Sequence, residues 1–167
     1  ESVQIWARDM AKADELARQL EGMGLKATAV SALETAVSNA DIISCATLSE
    51  EPLVLGEWLR PGCHLDLVGA FTPSMREADD AALRRASVFV DTHAGATTEA
   101  GEIVQALASG ALAAGDIRGD LFDLASGRVE SRRSKEEITL FKSVGCSLED
   151  LVAAELASEM NQRLNAA

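Results

Sequence analysis

The chain has 167 residues, 47% hydrophobic and 25% charged, and its 27 acidic against 15 basic side chains leave a net charge of −12. This is ordinary composition for one globular domain with a core of its own, which argues against disorder as the main state. So acidic a chain has no basic field to hold nucleic acid or an anionic membrane, no run approaches the roughly 18 to 20 apolar residues of a membrane span, and the first residues carry no charged-then-apolar signal, so a cytoplasmic setting is expected.

Ser2 to Trp6 reads as a strand, and Asp9 to about Met23 as a helix with Ala13, Leu16, Ala17, Leu20 and Met23 at helical spacing. Asp9 is placed to cap its start and Gly24 to end it. Leu25 to Val30 reads as a short strand, Ser31 to Asn39 as a short helix, and Asp41 to Thr47 as the next strand. Connections of a few residues between such elements imply right-handed parallel crossovers. From Leu48 to Pro61 the chain is irregular, with Trp58 expected to plug the core beneath it.

The run His64 to Pro73 is the stretch the rest is organised around. Its apolar residues break at Gly69-Ala70 and then at Pro73, which is how a buried parallel strand ends at the mouth of an α/β sheet. Ligands of open α/β sheets bind outside those ends. Met75 to Ala86 is expected to be helical, Ser87 to Thr92 a strand, and Ala94 to Gly110 a helix with Glu99 and Glu102 near its positive end. Asp120 to Leu124 reads as a short helix and Ile138 to Ser143 as a strand. Cys146 to Leu164 reads as a long helix with Leu148, Leu151, Val152, Leu156 and Met160 inward. Arg128, Arg132, Arg133 and Lys135 form a basic cluster expected to be a solvated loop, and Ser134 to Glu137 fits a capping pattern.

Cys45, Cys63 and Cys146 are odd in number and widely spaced, which reads as buried or isolated thiols rather than a disulfide or zinc framework. His64 and His93 are isolated in sequence, so no metal site is expected. The alternation of strand and helix argues for a doubly wound α/β fold of Rossmann type. No GxGxxG turn occurs anywhere. The chain is therefore expected to be a fragment, a single NAD(P)-binding domain over residues 1–167 that lacks its first strand and glycine-rich turn and is inactive by itself.

Several motifs carry a resemblance. Trp6-Ala7-Arg8, Ala40 to Thr47 with Ser49, Trp58 to His64, Val68-Gly69-Ala70, Arg76-Glu77, Phe89-Val90-Asp91, Glu99 to Glu102, and Thr139 to Gly145 with Glu149-Asp150 resemble the ornithine cyclodeaminase and mu-crystallin family across nearly the whole chain. The resemblance implies an upstream domain for substrate and dimerisation, and so a homodimer acting on a small imino or amino acid. Cyclodeaminases of the family carry a catalytic aspartate at the position matching Phe71. A phenyl ring can neither take a proton nor activate water. Val68 to Pro73 is instead similar to the ketimine reductases of pyrroline-2-carboxylate and piperideine-2-carboxylate. The implied function is NAD(P)H-dependent reduction of a cyclic imine; the alternatives are ornithine cyclodeamination and a non-catalytic, mu-crystallin-like binding protein.

A nicotinamide ring needs close backbone approach, which Gly69 and Ala70 allow, and apolar walls, which Val68 and Val144 could supply. Thr47 and Ser143 offer hydroxyls to its carboxamide or ribose. The expected cofactor-binding set is Trp6, Ala7, Arg8, Ala46, Thr47, Ser49, Val68, Gly69, Ala70, Ser143, Val144 and Gly145, with Phe71 beside the substrate and the catalytic acid unassigned. The strand Ser2 to Trp6 is followed by Ala7 and Arg8 rather than by an acidic residue, which favours NADPH, with NADH possible.

Overall fold

A computed structural model describes residues 1–165 of the chain. The first unit is β1 (Val3–Ile5), α1 (Met10–Gly22) and β2 (Ala27–Ala29), with β1 and β2 paired in parallel. Asp9 Oδ1 accepts the Ala11 amide at 3.0 Å, which supplies one of the bonds that a helix start leaves unmade. Ala13 and Ala17 are the buried face of α1, and Gly24, at φ +87°, reverses the chain behind it.

Next come α2 (Leu33–Asn39), β3 (Ile42–Cys45), a 3-10 turn at Gly56–Trp58, and β4 (His64–Leu67). The chain continues through α3 (Asp80–Arg85), β5 (Ser87–Val90), α4 (His93–Thr98) and α5 (Gly101–Ser109). It closes with β6 (Ile117–Asp120), α6 (Leu121–Ala125), β7 (Thr139–Lys142) and α7 (Ser147–Asn165). The second sheet has the order β3-β4-β7-β5-β6, and each of its pairings is parallel. The parallel α/β architecture expected from the strand-helix alternation is thus present.

One face of β3 and β4 is sealed. Ile43, Cys45, Leu65 and Leu67 point into a core with Val54, Leu59, Leu83, Val90, Ile103 and Leu140, and Trp58 packs against its edge as expected. The other face alternates outward, so Ile42 is 70% exposed and Ser44 meets Asp66 at 2.7 Å in the open. Parallel sheets are normally covered on both faces.

Four expectations are corrected. Met75 to Ala86 is not one helix: the Glu77 carbonyl accepts the amides of Leu53 and Val54 and the Asp79 amide donates to Val54 O, so the segment is held extended by bonds that a helix would need for itself, and the helix begins only after Asp79 caps Ala82. Ala94 to Gly110 is two helices that break at Glu99 and Ala100; Glu102 does stand in the first turn of the second, where it is wholly buried. Residues 117–120 form a strand where none was expected, since a four-residue run with Arg118 and Gly119 carries little apolar signal. On α7, Leu148, Leu151, Val152, Leu156 and Met160 are all at least half exposed, so the stripe exists but does not face this core.

The basic loop is also more than solvated charge. Arg132 donates to the carbonyls of Gly62, Cys63 and Glu137 and to Thr139 Oγ1, clamping the loop over the sheet. Arg133 and Arg118 both pair with Glu137, whose carboxyl is pulled down to about 2, chiefly by the Ser87 hydroxyl. Ser134 caps the amides of Glu136 and Glu137, although no helix follows.

Candidate functional site

Small residues end β3, β4 and β7 side by side, because β4 pairs with both of the others. Two buried carboxylates lie beneath these tips. Glu77 Oε1 accepts the Thr47 amide at 2.6 Å and the Thr47 hydroxyl at 2.8 Å, while Oε2 accepts the amides of Gly69 at 2.9 Å and Ala70 at 3.3 Å. Asp91 Oδ2 accepts the Ser143 hydroxyl at 3.0 Å and the amides of Val144 and Gly145, each at 2.7 Å, while Oδ1 accepts the Thr92 amide. Buried carboxylates are tolerable only when their lone pairs are filled in this way.

Gly69 is pinned between the two strands. A Cβ at that position would collide with the backbone N and O of Thr47 and with Oε1 of Glu77. Only a residue without a side chain lets β4's exit lie flat against β3's. The close approach that Gly69 permits is that of one strand exit to the other.

Behind Glu77 stands an ion pair. Lys142, the last residue of β7, and Glu102 on α5 are both fully buried, with Nζ 3.3 Å from Oε2. The pair is joined by charge outside hydrogen-bond geometry, and neither atom has a hydrogen-bond partner. Burial holds the Glu102 carboxyl above its usual range even beside the ammonium. Burial, reinforced by Glu77, likewise pushes the neighbouring Cys45 thiol up to about 12, so Cys45 is inert.

The structure brings together Thr47, Gly69 and Ala70 around Glu77, and Ser143, Val144 and Gly145 around Asp91. Ala46 and Val68 lie at the same tips and are exposed, so Val68 is an open surface and not a closed wall; Val144 is half-buried. The hydroxyls of Thr47 and Ser143 donate inward to the carboxylates, so neither is a free donor to a ligand. Ser49 is buried, its hydroxyl donating to Glu51 O at 2.7 Å. Phe71 leaves the β4 tip 48% exposed, which suits a wall beside a ligand better than a core anchor. Trp6, Ala7 and Arg8 follow β1 in the other sheet; Arg8 is exposed, and Asp9 is occupied as a cap.

Glu77, Asp91, Glu102 and Lys142 were not read as site residues from sequence. Charged residues beside or inside apolar runs, as in Phe89-Val90-Asp91 and Leu140-Phe141-Lys142, were the available signal. His93, Asp120 and Asp123 also approach one another, but Asp120 caps α6 and Asp123 binds Arg128 at 2.8 Å.

A parallel sheet built from alternating strands and helices, with small residues in the turns at its tips, is an α/β fold of Rossmann type. Residues 1–163 match the ornithine cyclodeaminase/mu-crystallin family, and the chain belongs to that family. It is 45% identical over 154 residues to a Delta(1)-pyrroline-2-carboxylate reductase of Paracoccus denitrificans, covering 92% of this chain and 49% of that protein. It is 38% identical over 154 residues to the ketimine reductase mu-crystallin of Mus musculus, covering 92% of this chain and 45% of that protein. The Delta(1)-pyrroline-2-carboxylate reductase of Thermococcus litoralis, solved with NADH and L-proline, superposes with a TM-score of 0.94 at 30% identity, over 98% of this chain and 51% of its own. The chain thus spans about half the length of the curated relatives it matches.

Proposed function

We propose that the protein carrying this chain is an NAD(P)H-dependent reductase of cyclic imino acids, with this chain as its dinucleotide-binding domain. The observation that carries the reading is the bed of peptide groups at the tips of β3, β4 and β7, held flat by Gly69, where a planar ring can lie against backbone. The cofactor supplies a hydride for the C=N carbon of the substrate. This chain's part is to seat the ring at Gly69 and Ala70 and to present Phe71 as an apolar neighbour of the imine. A pyrroline-2-carboxylate reduced in this way gives proline, the ligand that accompanies NADH in the Thermococcus relative.

Phe71 favours reduction over cyclodeamination, because it places a ring where a proton acceptor would be needed. The glycine-rich turn and the substrate and dimerisation domain are assigned to the rest of the polypeptide. Three open surfaces support that division: the unpaired edges of β1 and β3, the uncovered face of β3 and β4, and the apolar stripe of α7. The test is loss of NADPH absorbance in the full-length protein on adding a cyclic ketimine. Ammonia release from ornithine, or ligand binding without turnover, would replace this reading.

Arg8 sets the cofactor's type. It is exposed just beyond β1, and the neighbouring Asp9 is engaged as the cap of α1 through Oδ1. A charge-assisted contact to a 2′-phosphate is worth roughly 1.5 to 3 kcal/mol. Arg8→Ala in the full-length protein is expected to weaken NADPH by about ten- to a hundred-fold and leave NADH nearly unchanged. Titration of both cofactors against both proteins checks it, and equal losses would remove Arg8 from the site.

A further inference from the structure

Each amide that donates to Glu77 or Asp91 belongs to a planar trans peptide unit, whose carbonyl points the opposite way. The amides of Thr47, Gly69 and Ala70 turn inward to Glu77, so the carbonyls of Ala46, Val68 and Gly69 turn away from it. The amides of Val144 and Gly145 turn inward to Asp91, so the carbonyls of Ser143 and Val144 turn away from it. Among the described residues, none of these five carbonyls accepts a hydrogen bond. Both carboxylates lie below the tips and are essentially inaccessible, and of the residues that carry these carbonyls Ala46 and Val68 are exposed, Ser143 and Val144 half-buried and Gly69 buried, so for all but Gly69 the direction away from the carboxylates is toward the open strand ends. Four such acceptors on three adjacent strand tips, with the nearby hydroxyls turned inward, make a surface that selects a donor.

We infer that Glu77 and Asp91 are positioning residues, which orient a rim of backbone carbonyls to accept the carboxamide N–H groups of the nicotinamide. The inference rests on the reductase reading above and adds to it how the ring's orientation is chosen. A dinucleotide seated with its carboxamide on this rim offers one fixed ring face to the substrate. Neither carboxylate touches the cofactor. They act through the peptide planes of residues 46–47, 68–70 and 143–145.

The test uses the full-length protein and three ligands: the nicotinamide dinucleotide, its 3-acetylpyridine analogue, in which a methyl group replaces the amide nitrogen, and the ADP-ribose portion alone. The wild type is expected to bind the analogue about tenfold more weakly than the natural cofactor, as loss of one to two donated bonds requires. Asp91→Asn and Glu77→Gln put an amide nitrogen where backbone N–H groups must be accepted, and so turn the rim. Each is expected to weaken the natural cofactor about tenfold while leaving the analogue and ADP-ribose unchanged, and to mix the ring face from which deuteride is delivered. Equal losses for all three ligands would mean that the carboxylates only support the fold, and would overturn the inference while leaving the reductase reading intact. If either variant fails to fold, the wild type decides: equal binding of cofactor and analogue overturns the rim. A wild type that binds no dinucleotide would remove both readings.

Discussion

Lys142→Met is expected to destabilise the domain by about 3–5 kcal/mol, a large part of the roughly 5–15 kcal/mol that holds a domain folded. The reason is what remains behind. Methionine fills the volume of the aliphatic stem, but Glu102 then keeps a wholly buried carboxyl group without the ammonium 3.3 Å away. Glu77, whose amide binds the other Glu102 oxygen, adds like charge to the same site. Urea unfolding of the full-length protein measures the loss. A second change discriminates the cause: Glu102→Gln in the Lys142→Met background removes the unpaired charge and is expected to recover much of the deficit, since the pair couples. A double variant no better than Lys142→Met would place the cost in packing.

The pH dependence follows from the direction of the Glu102 shift. Burial raises its folded-state value above the ordinary 4.5 of the unfolded chain. Between those two values the folded state holds the proton more tightly, so its contribution to stability is full below 4.5 and is lost as pH rises through the raised folded value. Removal of Lys142 takes away the main lowering influence and raises that value further. The deficit of Lys142→Met should therefore shrink as pH falls toward 4.5 and grow toward neutrality. A deficit independent of pH would mean that Glu102 is not the group left unpaired.

Local chemistry was legible in the sequence. Asp9 and Gly24 bound α1 as expected because a cap and a left-handed turn depend on one or two residues. The apolar run within Asp41 to Thr47, and the run from His64 with its break at Gly69-Ala70, placed β3 and β4 correctly, since runs of strand-forming residues and the turns that end them are written locally. What failed was set at a distance. Glu77 sits in a run that reads as helix, and partners far along the chain hold it out of one: Leu53 and Val54 at its carbonyl, Glu102, twenty-five positions away, at its amide, and the β3 and β4 tips at its carboxylate. The stripe on α7 announced an apolar face without saying what would cover it. Lys142 ends a strand flanked by apolar residues, and its partner on α5 has no sequence relation to it that could have been read.

Gly69→Ala is expected to lower turnover of the full-length reductase by about a hundredfold, the scale of a misplacement near 1 Å at a reacting centre. The methyl group has no free direction, because it meets the main chain of Thr47 on one side and Glu77 Oε1 on the other. Main chain cannot swing aside as the end of a long side chain can, so β4's exit must lift from β3. That movement also lengthens the bonds from the Gly69 and Ala70 amides to Glu77, which tilts the surface proposed to seat the ring. Overpacking of this kind costs about 1–3 kcal/mol in stability as well, a range that includes the roughly 2.7 kcal/mol a hundredfold loss of rate corresponds to, so both are measured. Gly22→Ala serves as the control, since a Cβ there meets nothing within 4 Å and α1 gains a better helix former. Steady-state kinetics with a cyclic ketimine, alongside thermal unfolding of both variants, separates the two effects. A Gly69→Ala protein that turns over like the wild type would mean that the β4 tip is not where the cofactor's ring lies.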